Sequence, residues 1–206
     1  ENFIEVTEME ADEGEKMLDV MLESQGRTLT PAQKVFFLKA YRQCPLPLYL
    51  KLATDVAMMW HSYDTPNEDV LPTTISGLIE ALFDRLESKF GHKFVSHALG
   101  CITAAKSGLS AAELEDILSC DDEVLDEIYT FWVPPFRRLP PLLWIRVRND
   151  LGMYLAERGV DDITAYRWYH RQFWEAATRR YLCKNEKQIR GAIADYFEGK
   201  WHNGKP

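Results

Sequence analysis

Apolar side chains recur every three to four positions through most of this chain, and only two short stretches alternate as strands do. The clearest helical stripe is Ile75, Ile79, Leu82, Phe83, Leu86 and Phe90, which predicts a helix over 74–90 closed by Gly91. Upstream, Met17, Leu18, Met21 and Leu22 predict a helix over 12–24 that stops at Gly26, with the methionines in the core. Thr30-Pro31-Ala32-Gln33 is a helix start: a capping hydroxyl, a proline at the first helical position and a glutamine that can reach back. That helix runs to about residue 43 and halts at Cys44-Pro45-Leu46-Pro47. Leu48, Leu52, Val56 and Met59 carry a third helix, and 61–72, rich in Asp, Pro and Asn, reads as a loop. Four such helices make a small bundle. The first alternating stretch, Phe3-Ile4-Glu5-Val6, has nothing nearby to pair with and reads as the tail of a preceding domain.

After Gly91 the pattern changes. Phe94, Val95, Leu99 and Ile102 predict a helix over 93–106. Ser110-Ala111-Ala112-Glu113 opens a short one carrying Leu114, Ile117 and Leu118. Asp121 or Asp122 caps the next, which ends before Pro134-Pro135. A further helix is expected over 142–158, a strand over 163–169 and a helix over 171–182 with Phe173, Ala177 and Tyr181 on one side. Three helices, a further helix, a strand hairpin and a closing helix fit a winged helix. The expected fold is therefore mainly α: a small helical bundle followed by a winged-helix domain with a short β-hairpin wing. The divisions are 1–10, tail of a preceding domain; 11–91, helical domain; 92–183, winged helix; 184–206, start of a following helical segment. The two lobes meet near Gly91.

Charge adds a division of its own. The net charge of −8 is unevenly spread: 1–130 carry 24 acidic and 10 basic side chains, whereas 131–190 carry 6 acidic and 12 basic. Such a shift marks a domain change or a contact surface. With 46% hydrophobic residues the chain can bury a sizeable core. No apolar run approaches membrane-spanning length, and the acidic N-terminus lacks the basic start of a signal peptide. Cys44, Cys101, Cys120 and Cys183 lie far apart, as buried free thiols of a cytoplasmic protein do. The chain lacks an initiator Met and reads as an excised fragment.

Catalytic signatures are missing. There is no Gly-x-x-x-x-Gly-Lys-Ser/Thr loop, nucleophile elbow, zinc-binding His-Glu-x-x-His or dinucleotide fingerprint. The five histidines show no metal-ligand spacing, and Asp121-Asp122 and Asp161-Asp162 sit where capping explains them. The chain by itself is not expected to be an enzyme or to bind a metal.

Two segments carry a resemblance. Cys44-Pro45-Leu46-Pro47-Leu48-Tyr49-Leu50-Lys51-Leu52 resembles the Gly-x-Pro motif of the first helical domain of STAND signalling NTPases. Tyr166-Arg167-Trp168-Tyr169-His170-Arg171-Gln172-Phe173-Trp174 resembles the end of the winged helix in NACHT-type members, where a Met-His-Asp motif lies. With Gly26-Arg27-Thr28-Leu29-Thr30, these are most similar to the NACHT and WD-repeat group, related to telomerase protein component and nephrocystin-type proteins. The resemblance implies that Pro47 contacts the adenine of ADP or ATP, and that His170 reaches its β-phosphate and holds a closed state. It implies nucleotide in the whole protein and none in this fragment alone. It also implies partners: its own nucleotide-binding domain and WD repeats in cis, and other protomers on activation. The sequence departs from the motifs, with Pro45 in place of the glycine and Tyr169 and Arg171 in place of the Met and Asp.

Plainer readings stand beside these. Pro47 is also a helix-starting proline and His170 a capping histidine, while Trp168, Tyr169 and Trp174 suit packing. Nucleic-acid binding is a rival function, favoured by the arginines of 131–190 but opposed by an acidic candidate recognition helix over 121–132. A nucleotide-independent interaction scaffold is the third reading.

Overall fold

The computed structural model describes residues 10–67, 69–130, 135–136, 138–160 and 163–200. The expected strand at 3–6, Pro134 and Asp161-Asp162 lie outside them. By internal contacts the chain divides into two units, Glu1–Leu82 and Phe83–Pro206, and the division falls within one helix.

In the first unit, helices α1 (Ala11–Ser24), α2 (Pro31–Tyr41) and α3 (Pro47–Ala57) precede the opening half of α4 (Ile75–Phe90). The Thr30 box forms in both directions: Thr30 Oγ1 accepts from the Gln33 N–H, and the Gln33 side chain accepts from the Thr30 N–H at 3.0 Å. Gln33 is buried, and its Nε2 also donates to the carbonyls of His61 and Asp64, so one capping side chain ties down the loop after α3. The core holds Leu18, Leu22, Phe37, Tyr41, Tyr49, Leu50, Leu78 and Ile79. The buried face of α3 is set by Tyr49, Leu50, Leu52, Ala53 and Ala57, a broader stripe than expected, and Met59 and Met17 are exposed. Met17 is therefore not a core residue. α1 packs so closely on α2 that Gly14 lies against the Tyr41 ring.

The second unit is built around α5 (His92–Ala104), which buries every residue from His97 to Ala104 as well as Phe94 and Val95. Such an all-round apolar helix belongs at the centre of a domain. It is surrounded by α6 (Ala111–Ser119), α7 (Asp122–Ile128), the later elements α9 and α10 (Arg171–Ala177 and Glu186–Phe197), and a small sheet. Strands β1 (Leu109–Ser110), β2 (Leu155–Val160) and β3 (Ile163–Trp168) form an antiparallel sheet in the order β1-β3-β2. Here β2 and β3 are the wing, paired from Leu155↔Trp168 to Val160↔Ile163. The fold is thus mainly helical with a β-hairpin wing, as the pattern predicts.

One boundary differs from the sequence reading. The helix expected over 142–158 is α8 (Pro141–Leu151), and residues 155–158 belong to β2 instead. Leu151, Tyr154, Leu155 and Arg158 keep helical spacing, but Gly152 adopts φ +54° and turns the chain, after which ladder pairing with β3 decides. α9 does not end at Ala177 but runs on as a π turn over Thr178–Leu182, in which the Cys183 N–H bonds to the Thr178 carbonyl.

Two features lock the unit together. Between α4 and α5, Gly91 adopts φ +103° and ψ 139°, and the Glu127 carboxylate from α7 sits directly against it. That carboxylate accepts from the backbone N–H groups of Lys93 at 3.0 Å and Phe94 at 2.8 Å, capping α5 from another helix. Phe83, near the middle of α4, meets Trp168, Phe173 and Tyr181, and Phe173 also stacks on Tyr154 at 4.6 Å. On the same helix, Glu87 accepts hydrogen bonds from Arg180 and Tyr181 and pairs with His92. Burial pushes the Glu87 carboxyl up, yet these donors outweigh it and hold it below the usual carboxylate range.

Candidate functional site

His170 lies where β3 hands over to α9. It is the N-cap of α9, and its Nδ1 accepts from the Gln172 backbone N–H at 3.3 Å. With Nδ1 accepting, the neutral ring carries its proton on Nε2, which is left as a donor. The position is fixed from below by Thr103. The Trp168 indole donates to Thr103 Oγ1 at 2.9 Å, that hydroxyl donates to the Leu99 carbonyl, and the Trp174 indole donates to the Thr103 carbonyl at 3.3 Å. The tryptophans on either side of the histidine are therefore anchored to α5.

These elements enclose an open groove of about 650 Å³ between the C-terminal end of α5, the end of β3 and the start of α9. Its cations are Lys106, Arg167, Arg171 and Arg190, with His170 among them, and no carboxylate lines it among the described residues. Arg190 donates to the Ala104 carbonyl and pairs with Glu186, and Arg171 pairs along its helix with Glu175, outside the groove lining. Tyr169 is 74% exposed and Trp174 46% exposed, so of the three aromatics assigned to packing only Trp168 is buried. A concave surface with several cations, aromatic faces and an imidazole suits an anion carrying multiple negative charges.

Pro47 stands at the first helical position of α3, in the other unit, with its ring exposed. The helix-starting role is visible, and the exposed ring leaves a face for an external contact. Each residue is placed within its own unit.

The expected acidic helix, α7, and its cap commit several of their charges to contacts within the unit. Asp121 caps α7 and pairs with His97 at 2.6 Å, Glu123 pairs with Lys93, and Glu127 caps α5. Burial raises the Asp121 carboxyl, but the His97 contact and the capped amides hold it below the usual range. α7 ends at Ile128, and the helix that leads directly to the wing is α8. Part of the basic excess of 131–190 is neutralised in place. Arg138 meets Asp116, Arg148 meets Glu157, and Arg180 meets Asp84 and Glu87.

None of the four cysteines is in a disulfide; Cys44 and Cys120 are half-buried, and Cys101 is buried with its thiol pushed up to about 12 by desolvation. Cys183 is exposed, contrary to expectation. Among the described residues no cluster suits a metal ion, and no helix is long and apolar enough to cross a membrane.

A family model described as "NWD1-like, winged helix-turn-helix domain" matches residues 68–190, more than half the chain. The chain belongs to that family. It is 40% identical to the human NACHT domain- and WD repeat-containing protein 1 over 99% of its length, and 35% identical to the mouse NACHT and WD repeat domain-containing protein 2 over all of it. A shorter match, 36% identical over 76 residues, reaches the mouse telomerase protein component 1. The chain spans only 13% and 12% of the first two relatives. No solved structure matches. This NWD1-like winged helix is thus a module found within proteins that carry NACHT domains and WD repeats.

Proposed function

We propose that this chain is the regulatory helical and winged-helix module of a NACHT-type STAND ATPase, closing over ADP held by a P-loop domain elsewhere in the protein. In this reading Pro47 meets the adenine and His170 the β-phosphate. Exchange of ADP for ATP releases the histidine and lets the protein open and assemble with other protomers in the cytoplasm. The WD repeats in cis are partners of the same chain. The module itself is not an enzyme, and nucleotide belongs to the whole protein.

The observation that supports this reading is the setting of His170. Its Nδ1 is occupied by a backbone N–H, its Nε2 proton is available, and its groove is basic and free of carboxylates. An imidazole donor beside several cations suits a phosphate oxygen. A latch of this kind shifts populations only if ADP binds the closed state more tightly than the open one.

The test is His170→Ala in a longer protein that includes the P-loop domain, with bound nucleotide released and identified and the mass measured in solution. Wild type should retain ADP as a monomer, and the variant should lose ADP and shift to the oligomer. A variant that keeps ADP and stays monomeric would show that the histidine is no latch.

A further inference from the structure

We infer that the groove around His170 is an oligophosphate site in its own right, read by Lys106 and Arg167 as well as by the histidine. The inference rests on the same groove as the latch, yet it requires no second domain, and so it departs from the expectation that nucleotide phosphates are held only by the whole protein. Three observations carry it.

The first is the charge inventory. Lys106 comes from the bend after α5, Arg167 from β3, Arg171 from α9 and Arg190 from α10, so four separate segments of the second unit converge their cations on one concavity. No carboxylate lines it among the described residues. The second is how these cations are held. Some arginines elsewhere in the unit are matched by acids across elements, as Arg138 is by Asp116 and Arg180 by Asp84. Lys106 and Arg167, by contrast, make no ion pair among the described residues. Like charges gathered without counter-charges destabilise a fold, and a bound anion relieves that repulsion. The third is contrast within the same unit. A second groove of about 510 Å³, lined by α7 and α10, mixes Asp121, Asp122, Glu123 and Asp195 with Lys187 and Lys200. The uniform sign therefore belongs to the His170 groove and is not a general property of the surface.

The class of ligand follows from the geometry. A single phosphate can engage one or two of these cations, whereas a chain of two or three phosphates can reach several at once. The exposed faces of Tyr169 and Trp174 add a place for a base. The shared chemistry is an oligophosphate, and its source is either a nucleotide or a free polyphosphate. A single strand of nucleic acid is disfavoured, because its footprint needs a groove of basic residues that continues along the backbone. The cations lining this groove are confined to Lys106, Arg167, Arg171 and Arg190, and elsewhere in the unit Arg148 and Arg138 are matched by Glu157 and Asp116.

The experiment is a titration of the 206-residue chain with inorganic tripolyphosphate, ADP and ATP at about 50 mM salt, where screening is weak. Binding is followed by the indole N–H resonances of Trp168 and Trp174. We expect saturable shifts with tripolyphosphate. Lys106→Glu with Arg167→Glu should weaken them at least about tenfold, since two charge-assisted contacts become repulsive. Arg146→Glu, on the exposed face of α8 and outside the groove, should leave them unchanged. Equal affinity for ATP and tripolyphosphate supports a phosphate reader, and a clear advantage for ATP supports a nucleotide source. The inference is overturned if tripolyphosphate produces no saturable shift. It is equally overturned if the Arg146 variant loses as much affinity as the double one, or if a short oligouridylate displaces tripolyphosphate at lower phosphate concentration. Tripolyphosphate binding that persists while His170→Ala leaves the longer protein's ADP untouched would keep the groove and remove the latch. Loss of ADP there without tripolyphosphate binding here would do the reverse.

Discussion

Replacing Gly91 by alanine should measurably destabilise the second unit. The glycine's φ of +103° lies where side chains are rarely tolerated, and an added Cβ would stand 2.5 Å from Glu127 Oε2 and 2.8 Å from its Cδ. Backbone strain of this kind costs about 1–3 kcal/mol. Pushing the carboxylate aside also uncaps the Lys93 and Phe94 amides, a loss of roughly 0.5–2 kcal/mol. Alanine recovers about 0.4–1 kcal/mol by restricting the unfolded chain. The net effect is a loss of about 0.5–4.5 kcal/mol. For a chain of this length that corresponds to a fall in Tm of roughly 1–18 °C. Calorimetry and urea unfolding, with the two units fitted as separate transitions, would measure it. Because the clash is with one carboxylate, Glu127→Ala should absorb part of the penalty, so the double variant should lose less than the sum of the singles. Strict additivity, or a Gly91→Ala loss below about 0.5 kcal/mol, would refute the packing argument.

Three further outcomes are expected. Gly14→Ala should destabilise the first unit by about 1–2 kcal/mol in urea unfolding, because overpacking outweighs the helix gain of roughly 1 kcal/mol; the Cβ would lie 2.2 Å from the buried Tyr41 ring, and a stabilised variant would contradict this. Thr103→Val keeps the shape but strands the Trp168 indole N–H, so a loss of about 1–3 kcal/mol and a shifted Trp168 resonance should follow; no loss would mean that the indole needs no partner. Glu87 and Asp121 are both held below their usual values of 4.5 and 3.8, so their stabilisation is present above those values and disappears as pH falls through the lowered ones. Acid unfolding monitored by near-ultraviolet dichroism should accordingly be less steep in Glu87→Gln, and an unchanged acid limb would argue against that carboxylate's role.

Local signals read well from the sequence where one residue type dictates one geometry. Thr30 with Gln33, Ser110 with Glu113, and the capping Asp121 all appear as expected, because a capping oxygen satisfies amides within three residues of itself. Strand β2 was not legible. Its Leu155 and Arg158 continue a helical spacing, and only pairing with β3 reveals the ladder. The same limit applies to the candidate site. The arginines and the histidine at 167–171 stand out as a basic, aromatic run. Lys106 and Arg190 join them only because α5 ends there and α10 folds back, contacts that no local pattern encodes. Nor did composition show that Asp121, Glu123 and Glu127 engage His97, Lys93 and the start of α5.

The π turn at Thr178–Leu182 gives the second unit an unusual sensitivity to length. It accommodates one residue more than an α-helical turn would, and each residue of an α-helix advances the chain by about 100°. Deleting a single residue there would let the helix close into regular form, while swinging the Arg180 guanidinium and the Tyr181 hydroxyl away from Glu87. A deletion that tidies the backbone would thus cost α4 its Glu87 contacts while leaving Phe83 against Phe173, whereas a substitution at an exposed position in the same turn would be absorbed.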